Sequence, residues 1–470
     1  MAQISRSARW WTFAVVSLAL FMGMLDNLVV TTALPAISRS LAAAVPDLEW
    51  IVNGYTLTFA VLLMPAAALG ERYGRKRMLL LGVAIFGAGS AAAALSGSAT
   101  ALIVARAIQG TGGALIAPLT LTILTRAFPA EQRAAAIGLW SGVSGLGLAA
   151  GPLIGGIIVN GLNWNAVFWV NVPVALLLLA LGGWRLEESR GERVPLDLPG
   201  IGLAGFGLLG VVFGLIRGNA VGWGSAQIVL ALATGTALLL AFVVRERLTR
   251  APMLDLQLFA GRGFTAANVA GFLMSAGMFG SIWLITLYVQ NVLGFTPLRA
   301  GLATMPWTAT IMVVAPFAGI VAGRVGSRLP AVVGLAAQAA ALLWLGHAAG
   351  LATPYSTILP AFLLGGFGMG LVFAPLSAAV MTTVAESRGG QASGAYNALR
   401  ELGGVFGVAI LGAVFQHLAT TPSAFLNGFR AALFVGAALL VVGVGGALPL
   451  PSNLRTAGPT QAPAISAAEA

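Results

Sequence analysis

Cysteine is absent from this 470-residue sequence, and charged residues make up only 8% of it. Without cysteine the chain has no disulfide bonds, no thiolate metal ligands and no cysteine nucleophile. Histidine occurs only twice, and no Ser/His pair or cluster of His and carboxylate side chains has the spacing of a hydrolase or metal site. We therefore expect no enzymatic activity, no cofactor and no bound metal.

Apolar residues, in contrast, dominate the sequence. They make up 58% of the chain, and its mean hydropathy of +0.93 is far above that of water-soluble domains. Segments with the roughly 20 apolar residues that cross a bilayer as a helix recur from Trp11 to Leu450 with short polar breaks. We predict an all-α polytopic membrane protein with fourteen transmembrane helices, at residues 12–37, 49–69, 78–96, 100–124, 133–159, 166–183, 199–217, 226–244, 264–292, 299–323, 331–350, 357–380, 392–418 and 428–450.

Basic residues lie mainly in every second loop. Nineteen of the 25 Lys and Arg residues fall on one side of the predicted membrane, in loops and tails, and four fall on the other. Because basic residues mark the cytoplasmic side, we predict that both termini are cytoplasmic. The net charge of +11 then reflects topology, and we expect no nucleic-acid partner. All basic residues but one are Arg, and Ala and Gly are abundant, which favours a GC-rich bacterial genome. We therefore expect the protein in a bacterial cytoplasmic (inner) membrane.

The two halves of the chain carry a weak internal repeat. "GALIAPLT" at 113–120 resembles "GLVFAPLS" at 370–377, so predicted helix 4 resembles helix 12. Predicted helix 5 resembles helix 13 at an offset of 256, with these matches: Gly138 and Gly394, Trp140 and Tyr396, Gly147 and Gly403, Gly156 and Gly412. A repeat in the same orientation predicts two similar bundles with a binding site between them near mid-membrane. We predict a six-helix bundle at 1–183, an inserted pair of helices with its loops at 184–263, a second six-helix bundle at 264–450 and a disordered cytoplasmic tail at 451–470.

Asp26 and Arg106 are charged residues inside predicted helices, where insertion of a charge costs about 2.5–3.5 kcal/mol. At 1.5 Å per residue, each lies roughly 9 Å below the outer face of a ~30 Å hydrocarbon core, so the two side chains can meet. Two interpretations remain open. In the first, the ion pair breaks and a proton binds in its place as the access of the site to water changes. In the second, the pair is a static bridge between two helices.

Helix 13 carries a second polar cluster. Asn397, Arg400 and Glu401 lie at i, i+3 and i+4 and share one face, with Glu401 near the membrane midplane. Glu401 is either a second proton-binding group or a counter-charge for cationic substrates, or it simply neutralises Arg400. Together with the helix 13 cluster, three further polar side chains are expected to line a water-filled cavity. They are Asn53, Thr56 and Gln109. Trp283 and Trp307 are either interfacial anchors or cavity walls.

The loop "AALGERYGRKR" at 67–77 resembles the pattern Gly-x-Leu-Ala-Asp-Arg-x-Gly-Arg-Arg of the major facilitator superfamily. Ala67 stands where the pattern has its first Gly, and Glu71 where it has Asp. In the family this loop latches the inner side of the bundle by charge pairs. The resemblance therefore implies a gating loop formed by Glu71, Arg72, Gly74, Arg75 and Lys76.

Three further motifs are similar to the fourteen-helix drug:proton antiporter branch of that superfamily. "RAIQGTGGA" at 106–114 matches the helix 4 motif that the family ties to proton coupling, and "LDNLVVTTALPAI" at 25–37 is similar to the helix 1 signature, although Leu28 and Thr31 depart from it. "GLAAGPLIGG" at 147–156 matches the helix 5 signature of antiporters. Its glycines permit close packing and its proline bends the helix. The residues of this antiporter motif are Gly147, Gly151, Pro152, Gly155 and Gly156.

The resemblance implies a major facilitator fold, two six-helix bundles plus two inserted helices, working as a proton-coupled antiporter. We expect it to export hydrophobic or cationic small molecules by alternating access, with protons and the lipid bilayer as its other partners, and to be a monomer. The proton-coupling residues would be Asp26, Arg106 and Glu401. The alternatives are a proton-coupled importer or facilitator of a small metabolite, a membrane-embedded enzyme, and a non-transporting sensor.

Overall fold

The computed structural model describes residues 6–190, 197–249, 252–384, 388–419, 421 and 424–452, with backbone alone at 6, 390 and several positions between 130 and 149. The predicted tail at 451–470 lies outside the described residues beyond Ser452. The described chain forms fourteen long helices, as predicted from hydropathy. They are α1 (Arg6–Leu41), α2 (Val45–Tyr73), α3 (Arg75–Ala94), α4 (Ala99–Ala127), α5 (Ala130–Gly161), α6 (Ala166–Arg185), α7 (Leu198–Val221), α8 (Ala226–Leu248), α9 (Arg262–Val292), α10 (Pro297–Val325), α11 (Arg328–Ala348), α12 (Tyr355–Thr382), α13 (Gly389–Leu418) and α14 (Phe425–Ala447).

Length and composition suit these helices to a membrane. Thirteen of them are long and apolar enough to cross one, and the described apolar part of α5 runs over Ala150–Gly161. Each helix extends two to six residues beyond its predicted span at one end or both, whereas α3, α11 and α14 end two or three residues before their predicted ends. Several helices begin at a polar cap: the side chains of Ser98 and Thr296 accept hydrogen bonds from the backbone N–H groups of Ala101 and Arg299 at 3.2 Å. Two helices are irregular: α6 is interrupted at Val170, and α9 ends in a π-helical turn, Tyr288–Val292.

Helix packing repeats between the two halves. In the first half α1 packs on α5, α2 on α4 and α3 on both α4 and α6; in the second half α9 packs on α13, α10 on α12 and α11 on both α12 and α14. Each pair in the second set lies eight helices after its counterpart. The structure thus contains two six-helix bundles of the same design with α7 and α8 inserted between them, while the exact residue boundaries proposed for the domains stay predictions.

Short loops make consecutive helices antiparallel, so α1 begins and α14 ends at one face of the molecule, here named the terminal face; the other is the distal face. The halves meet along two seams, α5 with α10 and α2 with α13. At the distal face both seams are closed. A Cβ on Gly301 of α10 would overlap the backbone carbonyl of Pro152, and one on Gly156 would lie 2.6 Å from the carbonyl oxygen of Pro297.

Candidate functional site

Asp26 lies at the centre of a buried polar network in the first half. Its carboxylate pairs with the Arg106 guanidinium and accepts hydrogen bonds from Asn171 Nδ2 at 2.8 Å and Gln109 Nε2 at 3.3 Å. Gln109 also donates to Ser90 Oγ at 2.7 Å. Four helices, α1, α3, α4 and α6, thus converge on one carboxylate, and the sequence-predicted residues Asp26, Arg106 and Gln109 are brought together.

This network is sealed from water in the present conformation. The side chains of Asp26 and Arg106 are 0% and 2% exposed. The guanidinium lies 4.4 Å from the centroid of the Tyr55 ring, and its Nε donates to the carbonyl oxygen of Ile51 at 3.2 Å. Removing one partner of such a buried pair would leave the other charge buried without compensation.

Glu401 and Arg400 form the second charged pair. Arg400 Nη2 donates to Glu401 Oε1 at 2.7 Å, and the side chains are 20% and 11% exposed. The guanidinium also lies 5.3 Å from the centroid of the Phe373 ring. Asn397, one turn earlier on α13, donates to the Ser393 carbonyl oxygen at 2.9 Å. Glu401 therefore remains more accessible than Asp26.

The Glu401 cavity lies between the two halves and is partly open; its atom-free space of about 410 Å³ includes open solvent. Glu401 is its charged side chain, Thr56 faces it from α2, and Trp283 forms part of its wall. The remaining walls come from α1, α2, α9 and α13: Asn27, Leu28, Thr31, Val52, Phe279, Ile282, Gly404 and Val408.

A second cavity, the threonine cavity, lies beside it toward the seam between α5 and α10. Its atom-free space of about 540 Å³ includes open solvent, and it shares Leu28, Thr31 and Ile282 with the Glu401 cavity. Trp307 and Phe362 supply aromatic walls, and the polar lining consists of hydroxyls alone: Thr31, Thr32, Thr286, Thr304 and Thr308. Trp307 lines this cavity and Trp283 lines the Glu401 cavity. Of the two alternatives, interfacial anchor or cavity wall, both residues are cavity walls.

Asn53 and Gln109 lie away from both cavities. Each is 0% exposed; Gln109 belongs to the Asp26 network, whereas neither polar side-chain atom of Asn53 has a hydrogen-bond partner. Of the polar residues predicted to line a cavity, Thr56 lines the Glu401 cavity. Glu401, which was predicted to couple protons, lines the same cavity. The substrate roles of Asn53, Gln109, Asn397 and Arg400 stay predictions.

Sequence reasoning missed three polar residues of these sites. Asn171 and Ser90 complete the Asp26 network, and the sequence motifs singled out neither of them. Glu49, at the predicted start of helix 2, is a fully buried carboxylate that accepts a hydrogen bond from Gln416 Nε2 at 2.6 Å.

The predicted gating loop joins α2 to α3 at the terminal face. Arg75 pairs with Glu71 through two hydrogen bonds of 2.8 and 2.5 Å. Gly74 adopts φ +114°, and a Cβ there would overlap the carboxylate of Glu188. That carboxylate accepts the backbone N–H groups of Lys76 and Arg77, both at 3.1 Å, and so caps α3. Arg72 stacks near Tyr73, 5.4 Å from the ring centroid.

The antiporter motif of α5 packs against two helices. Gly147, Gly151 and Gly155 face α1, where added Cβ atoms would lie 3.1 Å from the Phe21 carbonyl oxygen, 2.8 Å from Leu28 Cβ and 3.0 Å from the Val29 carbonyl oxygen. Gly156 and Pro152 instead meet α10 across the seam, and Pro152 also lines the threonine cavity. The motif therefore sets close packing within the first half and between the halves.

Known proteins resemble this chain over most of its length. Its sequence is 37% identical over 409 residues to the tetracenomycin C resistance and export protein of Streptomyces glaucescens, covering 87% of this chain and 76% of that one. It is 36% identical over 405 residues to the multidrug resistance protein Stp of Mycobacterium tuberculosis (86% and 75% coverage) and 34% identical over 431 residues to the methylenomycin A resistance protein of Streptomyces coelicolor (90% and 88% coverage).

The fold has solved counterparts as well. A bacterial homologue of the human lysosomal transporter Spinster, described as inward-facing and unoccupied, superposes with a TM-score of 0.68 at 15% identity, over 95% of this chain and 97% of that one. Residues 16–408 match the sequence profile of the Major Facilitator Superfamily. Two repeated six-helix bundles, cavities between them and these matches agree: the chain belongs to the major facilitator superfamily.

Proposed function

We propose that the protein exports hydrophobic and cationic small molecules across the bacterial cytoplasmic membrane in exchange for protons. The observation that carries this proposal is the carboxylate of Glu401 in an otherwise uncharged, largely apolar and aromatic cavity between the two halves. Apolar walls bind a hydrophobic ring system without demanding one shape, and a single carboxylate selects for positive charge. The names of the relatives, which include a resistance and export protein and a multidrug resistance protein, support export.

Among the carboxylates considered, Glu401 is the better candidate for the coupling proton. Asp26 is sealed and paired with Arg106, so proton binding there requires the network to open. Glu401 is paired with Arg400 as well, but that pair is partly exposed and Glu401 borders a cavity, so a proton can reach it without opening a sealed network. A proton on Glu401 cancels its attraction for a cationic substrate, and a bound cation opposes protonation, so the two ligands compete for one site.

Alternating access supplies the transport step. The terminal face is assigned to the cytoplasm because basic residues concentrate there, and the distal face to the exterior. In the present conformation the distal seams are closed. Substrate would bind from the cytoplasm, the halves would rock about the cavities, and proton binding from outside would release substrate and return the protein.

Transport by the purified protein in liposomes tests this proposal. With ethidium as a cationic aromatic probe, an imposed pH gradient is expected to drive dye against its own gradient, and a protonophore to abolish the effect. Glu401→Gln should bind dye weakly and lose the response to the pH gradient. Dye movement that ignores the pH gradient would exclude proton coupling, and dye moving in the same direction as the protons would favour the importer alternative.

A further inference from the structure

Glu49 is a buried carboxylate that no step of the proposed cycle uses. It lies about one turn below the distal end of α2, and its side chain faces α13 of the other half. Gln416 Nε2 donates to Oε1 at 2.6 Å, while Oε2 is buried and has no hydrogen-bond partner. The residue is 0% exposed. One carboxyl oxygen is therefore removed from water without any compensation.

The seam is shaped around this side chain. Gly412 of α13 lies against the carboxylate so closely that a Cβ at that position would overlap both the carboxyl carbon and Oε1. Gln416 is one turn further along the same face of α13. The α2 and α13 surfaces thus meet at the distal face only with the Glu49 carboxyl enclosed between them.

None of the charged groups described on the surrounding helices forms an ion pair with Glu49. In the part of the chain that the structure describes, no basic side chain lies within 4 Å of its carboxylate. On α4, Arg106 is engaged by Asp26. On α13, His417 is exposed, and Arg400 is paired with Glu401 and lies about 18 Å along the helix from Gly412. On α2 itself, the Asp47 carboxylate accepts the Ala44 N–H.

An enclosed carboxylate without a cation strongly favours its neutral form, because desolvation penalises the charge and a single amide donor compensates only part of the penalty. Separation of α2 from α13 would return the carboxyl to water, where glutamate ionises near pH ~4.3. The closed and open distal faces therefore differ in their affinity for a proton at Glu49. By linkage, proton binding there must favour closure.

We propose that Glu49 is a proton-binding site of the distal gate and that the gate closes on the protonated carboxyl. This inference rests on the alternating access of the proposed function. The gate proton comes from the distal solution and returns to it when the gate reopens. It therefore controls the return step without being carried across the membrane, and acid on the distal side should speed that step.

Distance measurements between spin labels test the proposal directly. Leu162 and Leu351 are each 75% exposed at the distal face, one in each half, and the chain has no native cysteine to remove. In nanodiscs without substrate or pH gradient, the Leu162→Cys/Leu351→Cys protein should shift from a short to a long distance as pH rises. Glu49→Gln, an uncharged side chain of the same shape, should hold the short distance at every pH.

Asp47→Asn is the matched control, because it makes the same change on the same helical turn at a side chain that caps α2 without touching Gln416; it should keep the wild-type response. Gln416→Ala removes a hydrogen bond that only the closed seam makes, so the midpoint of the distance change should move to lower pH. A distance that does not depend on pH in the wild type, or an unchanged pH response in Glu49→Gln, would overturn the proposal. Failure of the liposome assay with an intact distance response would instead reject the proposed function alone.

Discussion

Asp26 and Glu401 are both intramembrane carboxylates, yet their surroundings predict different losses of stability when each is replaced by its amide. Asp26→Asn leaves the Arg106 guanidinium buried without a counter-charge, which costs about 3–5 kcal/mol for a broken buried pair. Glu401→Gln also unpairs a guanidinium, but Arg400 is 20% exposed and keeps its contact with the Phe373 ring, so the loss of stability should be smaller. Thermal unfolding of the purified variants checks this: a marked fall in Tm is expected for Asp26→Asn only.

A double substitution separates charge from packing in the same network. Asp26→Asn combined with Arg106→Gln removes both charges, so the Tm should recover part of the loss seen with Asp26→Asn alone. Equal unfolding temperatures for the single and double variants would show that the loss comes from the amide itself and not from an unpaired guanidinium.

Gly412 offers a test of the distal seam at the scale of one methyl group. Gly412→Ala would press on the Glu49 carboxyl, so the labels at the distal face should move to the longer distance at all pH values. Gly404→Ala on the same helix is the control, because its Cβ would meet Phe279 at an ordinary 3.5 Å. A shift in both variants would point to a general effect on α13.

Single residues also mark where sequence reasoning ends. Depth arithmetic placed Asp26 level with Arg106, because rise per residue is fixed within a helix. It gave no reason to include Asn171 or Ser90, since their approach depends on how α3 and α6 pack. Glu49 was passed over because a carboxylate at a helix end normally faces water, and only the contact with α13 encloses it.

At the scale of elements, hydropathy was sufficient for the number and order of helices, because each must satisfy its backbone hydrogen bonds internally in an apolar medium. The interruption of α6 at Val170 and the π-helical turn at Tyr288–Val292 were not predictable from that signal. In the π-helical turn, Gln290 Nε2 donates to the Thr32 carbonyl oxygen of the other half at 2.9 Å. Such irregular turns depend on tertiary contacts that periodicity does not encode.

The terminal ends of α7 and α8 are joined by an ion pair with a defined pH dependence. Asp197 accepts hydrogen bonds from Arg245 at 2.7 and 2.8 Å and from the Gly200 N–H at 3.0 Å. Burial alone raises the pKa of the Asp197 carboxyl, but these donors outweigh burial and hold the pKa below its usual value. Because the folded-state pKa is lowered, the stabilisation is present above the unfolded value of about 3.9 and is lost as pH falls through the folded value.

Asp197→Asn should therefore lower the Tm at neutral pH, and the difference from the wild type should shrink as pH falls below about 4. Measured unfolding between pH 3 and pH 7 checks both points. A Tm difference that is constant over this range would mean that the carboxylate charge does not stabilise the inserted pair.

At the scale of the whole molecule, the two seams should behave as one joint. If the halves rock as rigid bodies, Gly301→Ala, which intrudes on the Pro152 carbonyl in the α5 and α10 seam, must open the α2 and α13 seam as well. The Gly301→Ala and Gly412→Ala variants should then give the same long distance between the distal labels, and the double variant should add little. Additive shifts would indicate that the seams open independently.

The inserted pair makes these two seams unequal toward the lipid. α7 packs on both α2 and α13: Leu208 and Val212 join Leu57, Val405 and Ala409 in one apolar cluster, and Asn219 Nδ2 donates to the Ala413 carbonyl oxygen at 2.6 Å. A compound dissolved in the bilayer that approaches this side meets two extra helices before the seam. In the described part of the chain, neither α7 nor α8 packs on the seam between α5 and α10 in the same way. If the protein takes lipophilic substrates from the bilayer, we expect entry on this side, and labelling by a photoreactive lipophile should fall on α5 and α10.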